Sequence, residues 1–242
     1  MQDIKTVELV KQYKNLTAVD KFNLEIYQGE LFSLLGVNGA GKTTTIKMLT
    51  GITKPTDGDA FVGGYSVIKE PEKVKKLIGV SPQETAVAPN LSVKENLELI
   101  CGIHGFSEEK TKMRIKEISE QIALESVLSR KAGTLSSGYK RRVSIAMALI
   151  SEPKILFLDE PTLGLDIIVR HELWDMINSL KGKSTIILTT HYMEEAATLS
   201  DRIGIMKGGK LLAVGTIEEI KEKTGTTDFE SAFLSIVKED VI

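Results

Sequence analysis

The chain has 242 residues and a formal net charge of −2, from 31 Lys plus Arg against 33 Asp plus Glu. This balance gives no electrostatic footprint for nucleic acid or an anionic membrane, so no nucleic-acid partner is expected. The one cysteine, Cys101, excludes an internal disulfide. No apolar run approaches the ~20 residues that span a bilayer, and the N-terminus lacks a signal-peptide pattern. We therefore expect a soluble, cytoplasmic protein.

The first part of the chain predicts strands and one helix. Residues 4–35 alternate apolar and polar positions and predict short antiparallel strands, one of them at residues 21–26. The continuous apolar run at Leu31–Leu35 predicts a buried strand. A helix is expected over residues 43–49, ended by Gly51.

A phosphate-binding pattern connects this strand to this helix. Residues 36–43 read Gly-Val-Asn-Gly-Ala-Gly-Lys-Thr, which fits Gly, four residues, then Gly-Lys-Thr. A strand that leads through a glycine-rich turn into a helix presents backbone N–H groups to a polyphosphate. Lys42 would reach the β- and γ-phosphates, and the Thr43 hydroxyl would ligate Mg²⁺. We therefore expect a nucleotide site here, and an accidental glycine-rich turn is the weaker interpretation.

The middle of the chain changes from strands to helices. Turn signals at residues 56–59 and 63–64 flank a strand at residues 60–62, and residues 77–80 predict another. A helical block is expected from about residue 84 to 150. Its helices should begin after Ser92, which forms a capping box with Glu95, should run from Ser107 to near Ala123, and should run from Tyr139 to Ile150.

Strands return after the helical block. Continuous apolar runs at residues 155–158 and 184–189 suit a parallel sheet covered on both faces, and residues 168–180 are long enough for the crossover helix. We expect a single domain with an α/β core at residues 1–83 and 151–215, an N-terminal antiparallel β lobe and a helical subdomain inserted at about 84–150. Residues 216–242 predict a tail of two helices.

An acidic pair follows the first of these later strands. Asp159 and Glu160 would lie at the carboxyl end of a parallel strand, where open sheets bind ligands. Asp159 is then a candidate Mg²⁺ ligand, and Glu160 is placed to orient or deprotonate an attacking water. Exposed acids at a strand end are common, so the assignment depends on the phosphate loop. His191 and Gln83 also follow strands, but each alone is weak evidence.

A run of small residues begins the third helix of the block. Ser136 to Gly138 would expose N–H groups at a helix start, which makes a second candidate phosphate site. Lys140, Arg141 and Arg142 follow in the first turn, where positive charge opposes the helix dipole and a bound anion would offset the conflict. A plain serine N-cap is the alternative interpretation.

These motifs occur together and in order, and together they resemble the ATP-binding cassette (ABC) family. The resemblance covers about residues 4–215: the phosphate loop, Leu-Ser-Ser-Gly at 135–138, Asp-Glu-Pro-Thr at 159–162, Gly-Leu-Asp at 164–166 and His191. It implies a P-loop NTPase (RecA-like) core and the nucleotide-binding subunit of a transporter. Three further features resemble exporter subunits whose permease is encoded separately: Lys140-Arg141-Arg142, Glu194-Glu195-Ala196-Ala197 after His191, and the short C-terminal part.

The resemblance also implies roles for individual residues. The implied ATP-binding set is Tyr13, Gly36, Asn38, Gly39, Ala40, Gly41, Lys42, Thr43 and Thr44. The implied metal-binding set is Thr43, Gln83 and Asp159, and the implied catalytic set is Glu160, His191 and Gln83. Within these sets, Tyr13 stacks on adenine, Glu160 is the base and His191 contacts the γ-phosphate.

Other residues are implied to act across a dimer. In the family, the helix start here formed by Ser136, Ser137 and Gly138 binds the γ-phosphate held by the other subunit, and Asp166 contacts that subunit. The implied assembly is a head-to-tail pair, here a homodimer, around two ATP molecules, bound to an integral membrane permease on the cytoplasmic face of the cell membrane. This chain departs from the usual Leu-Ser-Gly-Gly-Gln at Ser137 and Tyr139, which bears on closure and turnover.

Three other functions are alternatives to a transporter subunit. A cassette ATPase that acts on nucleic acid or ribosomes usually has a basic surface or a long insertion. A small-molecule kinase would need an acceptor pocket, and a regulatory module would bind ATP without turnover.

The apolar segment at residues 85–91 is expected to pack on its own helix or to form one wall of a groove for a permease helix.

Overall fold

The computed structural model describes residues 1–239, which form two β-sheets with helices packed around them. The predicted tail extends to residue 242, and its last three residues lie outside the described residues. The strands are β1 (Gln2–Tyr13), β2 (Leu16–Phe22), β3 (Glu25–Tyr27), β4 (Leu31–Leu35), β5 (Asp57–Val62), β6 (Tyr65–Ser66), β7 (Ile78–Ser81), β8 (Ile155–Asp159), β9 (Thr185–Thr190), β10 (Arg202–Lys207) and β11 (Lys210–Gly215).

Helices connect the strands and cover the larger sheet. Within residues 1–239 we find no helix with the length and apolar character required to cross a bilayer. The α-helices are α1 (Lys42–Leu49), α2 (Pro71–Lys75), α3 (Val93–Ile103), α4 (Glu108–Gln121), α5 (Ser137–Leu149), α6 (Ile167–Asn178), α7 (Met193–Leu199), α8 (Ile217–Thr224) and α9 (Phe229–Glu239).

The larger sheet has the strand order β11-β10-β4-β9-β8-β7. Its strands β10, β4, β9, β8 and β7 are mutually parallel, and β11 returns antiparallel at one edge. Every residue of β4, β8 and β9 is buried, which is the pattern of a sheet covered on both faces. Because the strands run parallel, the segments that follow β4, β7, β8 and β9 all emerge at one edge.

The smaller sheet is antiparallel, and the long strand β1 is its centre. Strand β1 pairs with β2, β3 and β5, and β5 pairs with β6. The prediction of one continuous strand at residues 21–26 is wrong, because extended structure is interrupted between β2, which ends at Phe22, and β3, which begins at Glu25. At the break, the Thr6 hydroxyl donates to Phe22 O and accepts from Leu24 N, so one side chain replaces ladder bonds. The prediction of antiparallel strands over residues 4–35 is also wrong for β4, which pairs in parallel with β9 and β10.

The predicted caps of the central helices are present. The Ser92 hydroxyl accepts from Glu95 N, and the Glu95 carboxylate accepts from Ser92 N, which is a reciprocal capping box. Ser107 caps α4, and Asp228 accepts a bond from Ser231 N at the start of α9. Strands β10 and β11 and helix α7 have no counterpart among the predicted elements, because short apolar runs near a domain end show little periodicity.

Helix α5 packs directly on the parallel sheet and not only on the neighbouring helices. Its residues share one buried apolar cluster with α3, α4, α6, β8 and β9. The Ser144 hydroxyl lies 2.9 Å from the Ser81 hydroxyl at the end of β7. The division predicted at residues 84 and 150 stays a prediction, and α5 physically joins the helical segment to the sheet edge.

The approach of α5 to β7 depends on Gly79. A Cβ atom built there would lie 2.2 Å from Ala148 O and 2.9 Å from Pro153 Cγ, so no side chain fits without displacing the backbone of α5. We expect Gly79→Ala to lower the free energy of unfolding by about 1–3 kcal/mol, as overpacking usually does.

Gly102, within α3, is the matched control. A Cβ there has no neighbour within 4 Å, so Gly102→Ala should be neutral or stabilise by about 0.5–1 kcal/mol. Urea titration of both variants, with m-values compared to the parent chain, measures the difference. Equal stability of the two variants would show that the β7–α5 contact relaxes freely.

Candidate functional site

The phosphate loop lies between β4 and α1, as the sequence predicts. Gly39 and Gly41 have φ angles of 79° and 107°, in the left-handed region that favours glycine. At Gly36, a Cβ atom would lie 2.2 Å from Met206 O, and at Gly41 it would lie 2.4 Å from Ala18 O. The loop therefore needs glycine for two reasons: a backbone conformation at two positions and close contact with β10 and β2.

Lys42 lies buried within this loop. Its Nζ donates to Gly36 O at 2.7 Å and to Val37 O at 3.2 Å, and it lies 3.4 Å from Glu160 Oε1. The loop's own carbonyls thus fix the ammonium group beside the acid that follows β8. A cation held in this position attracts the phosphates of a nucleotide.

The Asp159 carboxylate joins the loop to the sheet edge. Its Oδ1 accepts from Thr43 Oγ1 at 3.2 Å and from the Thr189 hydroxyl of β9. The pairing of Asp159 with Thr189 in the β8–β9 ladder places these groups side by side. Thr189 is a site residue that sequence reasoning missed, because a threonine inside an apolar strand gives no signal of its own.

Glu160 and His191 face one another at the same edge. Glu160 has a φ of 47°, and its N–H donates to Thr189 O and Oγ1 at 3.1 and 3.0 Å. Glu160 Oε2 lies 3.3 Å from His191 Nδ1, but the two atoms do not meet hydrogen-bond geometry. No direct hydrogen bond therefore fixes the two side chains to one another.

A cavity of about 520 Å³ opens over the loop. Tyr13, 44% exposed, forms one wall at the end of β1, and Lys11 Nζ lies 5.0 Å from the centre of its ring. The residues lining the cavity are Tyr13, Leu16, Thr17, Ala18, Asn38, Gly39, Ala40, Gly41, Lys42, Thr43, Thr44, Gln83, Glu160, Gly208 and Gly209. The volume and the backbone donors suit a nucleoside triphosphate.

The oxygen donors in the site fit Mg²⁺. Thr43 supplies a hydroxyl and Asp159 a carboxylate at the mouth of the loop, and Gln83 lines the same cavity. Within residues 1–239 no cluster of three or more His, Cys, Asp or Glu side chains has metal-binding geometry. One carboxylate and a hydroxyl, completed by phosphate oxygens and water, are the donor set that Mg²⁺ commonly takes.

The second predicted phosphate site lies apart from this cavity. Ser136 is the N-cap of α5 and accepts from Tyr139 N at 3.4 Å, while Ser136 and Ser137 are exposed. A Cβ on Gly138 would lie 2.5 Å from Val169 Cγ1, which brings this helix start against α6. Asp166 caps α6 through bonds to Ile168 N and Val169 N. None of these residues lines the cavity over the phosphate loop.

Two arginines of α5 are not available to an anion at its N-terminus. The Arg141 guanidinium is buried and donates to Pro82 O and Gln83 O, each at 2.7 Å. Arg142 donates to Ile122 O at 3.5 Å and to Glu172 Oε2 at 2.6 Å. These two charges are therefore balanced without a bound anion, and the candidate phosphate site at this helix start stays a prediction. Burial lowers the pKa of Arg141, and the charges of Asp159 and Glu195 oppose that shift.

Glu195 is a buried acid that sequence reasoning did not single out. Its Oε1 accepts from Thr162 Oγ1 at 2.7 Å and from Trp174 Nε1 at 3.0 Å. Burial raises the pKa of Glu195 above its ordinary value of 4.5, although the Thr190 hydroxyl, these two donors and the charge of Arg170 oppose the shift. Its other oxygen, Oε2, makes no hydrogen bond of good geometry within the described residues.

The family follows from comparison with known proteins. The family model described as "ABC transporter" matches residues 19–163, more than half of the chain. The chain belongs to the ABC transporter family. The predicted P-loop NTPase fold and ATP-hydrolysing cassette are thereby confirmed at the level of the family.

Named relatives and solved structures agree with this family. The chain is 41% identical over 228 residues to the doxorubicin resistance ATP-binding protein DrrA of Mycobacterium tuberculosis, covering 93% of this chain and 67% of DrrA. It is 42% identical over 212 residues to the human phospholipid-transporting ATPase ABCA3, covering 88% of this chain but 12% of ABCA3. The chain thus spans a minor part of some of the curated relatives it matches.

Two solved ABC structures superpose closely on this cassette. An ATP-binding subunit of an ABC transporter gives a TM-score of 0.87 at 29% identity, covering 97% of this chain and 99% of that one. A dimeric cassette in a post-hydrolysis state, bound to ADP and Pi, gives a TM-score of 0.80 at 28% identity, covering 88% of this chain and 98% of that one.

The raised pKa of Glu195 predicts a pH-dependent stability difference. A carboxyl group whose folded pKa exceeds its unfolded pKa holds more protons in the folded state, so stability falls as pH rises from about 4.5 through the folded pKa. Glu195→Gln mimics the neutral form and removes this loss. The variant should gain stability relative to the parent across that interval and keep the gain at neutral pH.

Denaturant titrations at several pH values between 4 and 8 measure this difference. Glu194→Gln is the control, since Glu194 is the exposed neighbour on the same helix turn. A pH-independent difference between Glu195→Gln and the parent chain would mean that the charges of Arg170 and Arg141 compensate the burial fully.

Proposed function

We propose that this cassette binds ATP with Mg²⁺, closes with a second copy of itself in a head-to-tail dimer, hydrolyses ATP and drives an integral membrane permease, for export. The observation that carries the proposal is the convergence of Lys42, Thr43, Asp159, Glu160 and His191 at one sheet edge beside a cavity of about 520 Å³. The cassette would work at the cytoplasmic face of the cell membrane through its permease.

The phosphate loop grips the triphosphate in this scheme. Its N–H groups and the Lys42 ammonium neutralise charge on the β- and γ-phosphates, and Tyr13 stacks on adenine at the cavity wall. Thr43 and Asp159, with Gln83, would hold Mg²⁺, which supplies charge neutralisation of the phosphates when bound. The residues that line the cavity therefore bind ATP before the chemical step.

Glu160 and His191 carry the chemical step in the proposal. Glu160 orients or deprotonates the attacking water, and His191, 3.3 Å from its carboxylate, contacts the γ-phosphate. Glu160 is also 3.4 Å from Lys42 Nζ, so the base and the phosphate-binding cation belong to one charge cluster. Positioning and electrostatics supply most of the acceleration in phosphoryl transfer.

A second copy completes the site. Ser136, Ser137 and Gly138 do not reach the phosphate loop of their own chain, yet two of them are exposed N–H-bearing residues at a helix start. The solved cassette bound to ADP and Pi is a dimer, and it covers 88% of this chain. Closure gains free energy because the donors of one copy bind the phosphate held by the other.

Glu160→Gln tests the chemical assignment. Loss of a general base should lower ATP turnover by about 10²–10⁴-fold, while ATP affinity stays near that of the parent because the phosphate loop is intact. The variant should also accumulate as an ATP-bound dimer, visible by light scattering after size exclusion. Glu109→Gln, at an exposed position of α4, is the control. Unchanged phosphate release from Glu160→Gln would remove Glu160 from the mechanism.

The segment after Gln83 is the proposed contact with the permease. A cavity of about 180 Å³ lies between β7, this segment, α3 and α5, and Ala86, Ile100 and Met147 line it. Leu99 and Ile103, on the outer side of α3, are 50% and 71% exposed. Val87, within this segment, packs on the core cluster, and Asn96 ties the segment to α3 through Ala88 N and O.

Arg141 connects this surface to the dimer-facing helix. Its two bonds to Pro82 O and Gln83 O attach α5, which begins at Ser136, to the segment that leads into the cavity wall. A displacement of this segment by the permease would therefore be transmitted through Arg141 to α5, the helix that contacts the second copy. This connection supports a coupling role for the helical segment that the sequence places at about residues 84–150.

A cysteine at Ala86 tests the permease contact. Ala86 is exposed and lines the groove, whereas the native Cys101 is buried and should not react. In native membranes, Ala86→Cys with a short bifunctional crosslinker should form an adduct with an integral membrane protein. Thr227→Cys, exposed on the tail, should not. An adduct pattern that is the same for both positions would exclude this groove as the contact.

A further inference from the structure

Glu195 is the most deeply buried acid among residues 1–238, with 0% of its surface exposed. It lies in the first turn of α7, four residues after His191. Burying a carboxyl group costs free energy that an apolar side chain would not, unless the group makes specific hydrogen bonds. The hydrogen bonds that Glu195 makes therefore indicate which parts of the structure it holds in place.

Those bonds connect two other segments of the active edge. One oxygen, Oε1, accepts from Thr162 and from Trp174, at 2.7 and 3.0 Å. Both donors are buried, and within the described residues each has Glu195 as its only side-chain hydrogen-bond partner. Without the carboxylate, two buried donors would be left unsatisfied, which costs far more than the loss of two exposed bonds.

The bonded segments are the ones that carry the proposed catalytic groups. Thr162 follows Glu160 by two residues, in consecutive turns closed by Leu163 N to Glu160 O and Leu165 N to Thr162 O, each at 3.2 Å. Trp174 belongs to α6, which Asp166 caps. Glu195 itself belongs to the helix that follows His191. One carboxylate oxygen thus joins the Glu160 turn, α6 and the His191 helix.

This connection matters because the Glu160 backbone is strained. A φ of 47° lies in the left-handed region, where a non-glycine residue is strained and persists only when its surroundings impose the conformation. Thr189 holds the N-terminal side of Glu160 through its N–H. Thr162 is the next fixed point on the other side. Since Glu160 and His191 make no direct hydrogen bond, their separation depends on such backbone anchors.

We propose that Glu195 is a positioning residue that sets Glu160 against His191 by holding Thr162 and Trp174. The inference rests on the proposed function, because it assumes that Glu160 and His191 carry ATP hydrolysis. Glu195 does not line the nucleotide cavity. Its loss should therefore alter the chemical step and leave nucleotide binding largely intact.

The test compares two variants that break the same connection differently. Thr162→Val keeps the shape of the side chain and removes only the donor, so it leaves no cavity. Glu195→Ala removes the acceptor for both donors. We expect kcat for ATP hydrolysis to fall by about 10- to 100-fold in each, as small misplacements of catalytic groups do, with little change in the Kd for ATP measured by equilibrium binding. Glu195→Gln keeps an acceptor oxygen and should restore kcat.

Two controls separate positioning from general loss of structure. Glu194→Ala changes the exposed neighbour and should leave kcat, Kd and unfolding unchanged. Trp174 is the only tryptophan of the chain, so its fluorescence reports on the Glu195 bond without an activity assay. Glu195→Ala should shift that emission, whereas Thr162→Val should leave it near that of the parent. If Glu195→Ala does not fold, Thr162→Val carries the test alone.

The outcomes distinguish this inference from the function on which it rests. Folded Thr162→Val and Glu195→Ala chains with the kcat of the parent would overturn the positioning role and leave the ATPase proposal standing. A weakened Kd with unchanged kcat would also overturn it, because the residue would then support binding. Absence of ATP hydrolysis in the parent dimer would sink the proposed function first, and the positioning role with it.

Discussion

The parallel pairing of β4 with β9 and of β9 with β8 is the constraint on which the rest of the site depends. Leu35 pairs with Thr190 and Asp159 with Thr189, so three strands end at one level. The phosphate loop, the acidic pair and His191 emerge there as neighbours although they lie far apart in sequence. Parallel strands need crossover connections, and those connections are the helices that bury both faces of the sheet.

Buried polar groups, more than apolar contacts, fix the details at this edge. Lys42 is held by loop carbonyls, Asp159 by two hydroxyls, Arg141 by two backbone oxygens and Glu195 by an indole and a hydroxyl. Each of these groups would cost several kcal/mol if left unpaired, so each admits few alternative arrangements. The site is consequently positioned by a network that spans β8, β9, α5, α6 and α7.

The network also supports the proposed dimer with a second copy. The helix start at Ser136 is tied through Gly138 to α6 and through Arg141 to the segment after Gln83. It cannot fold back over the phosphate loop of its own chain without breaking those contacts. A helix start whose two serines are exposed and lie outside its own nucleotide cavity suits the proposed contact with a nucleotide held by another chain.

The sequence alone determined the phosphate loop, the acidic pair, the capped helices and, through their order, the family. These features are local: a glycine that needs a positive φ, a serine that caps a helix and a buried apolar run are written in adjacent residues. The tertiary structure decided the break after Phe22, the parallel partner of β4, the partners of Arg141 and Arg142 and the hydrogen bonds of Thr189 and Glu195. Those depend on contacts between residues distant in the chain, such as Thr6 with Leu24 or Thr162 with Glu195, and no local pattern encodes which of two buried polar side chains will meet.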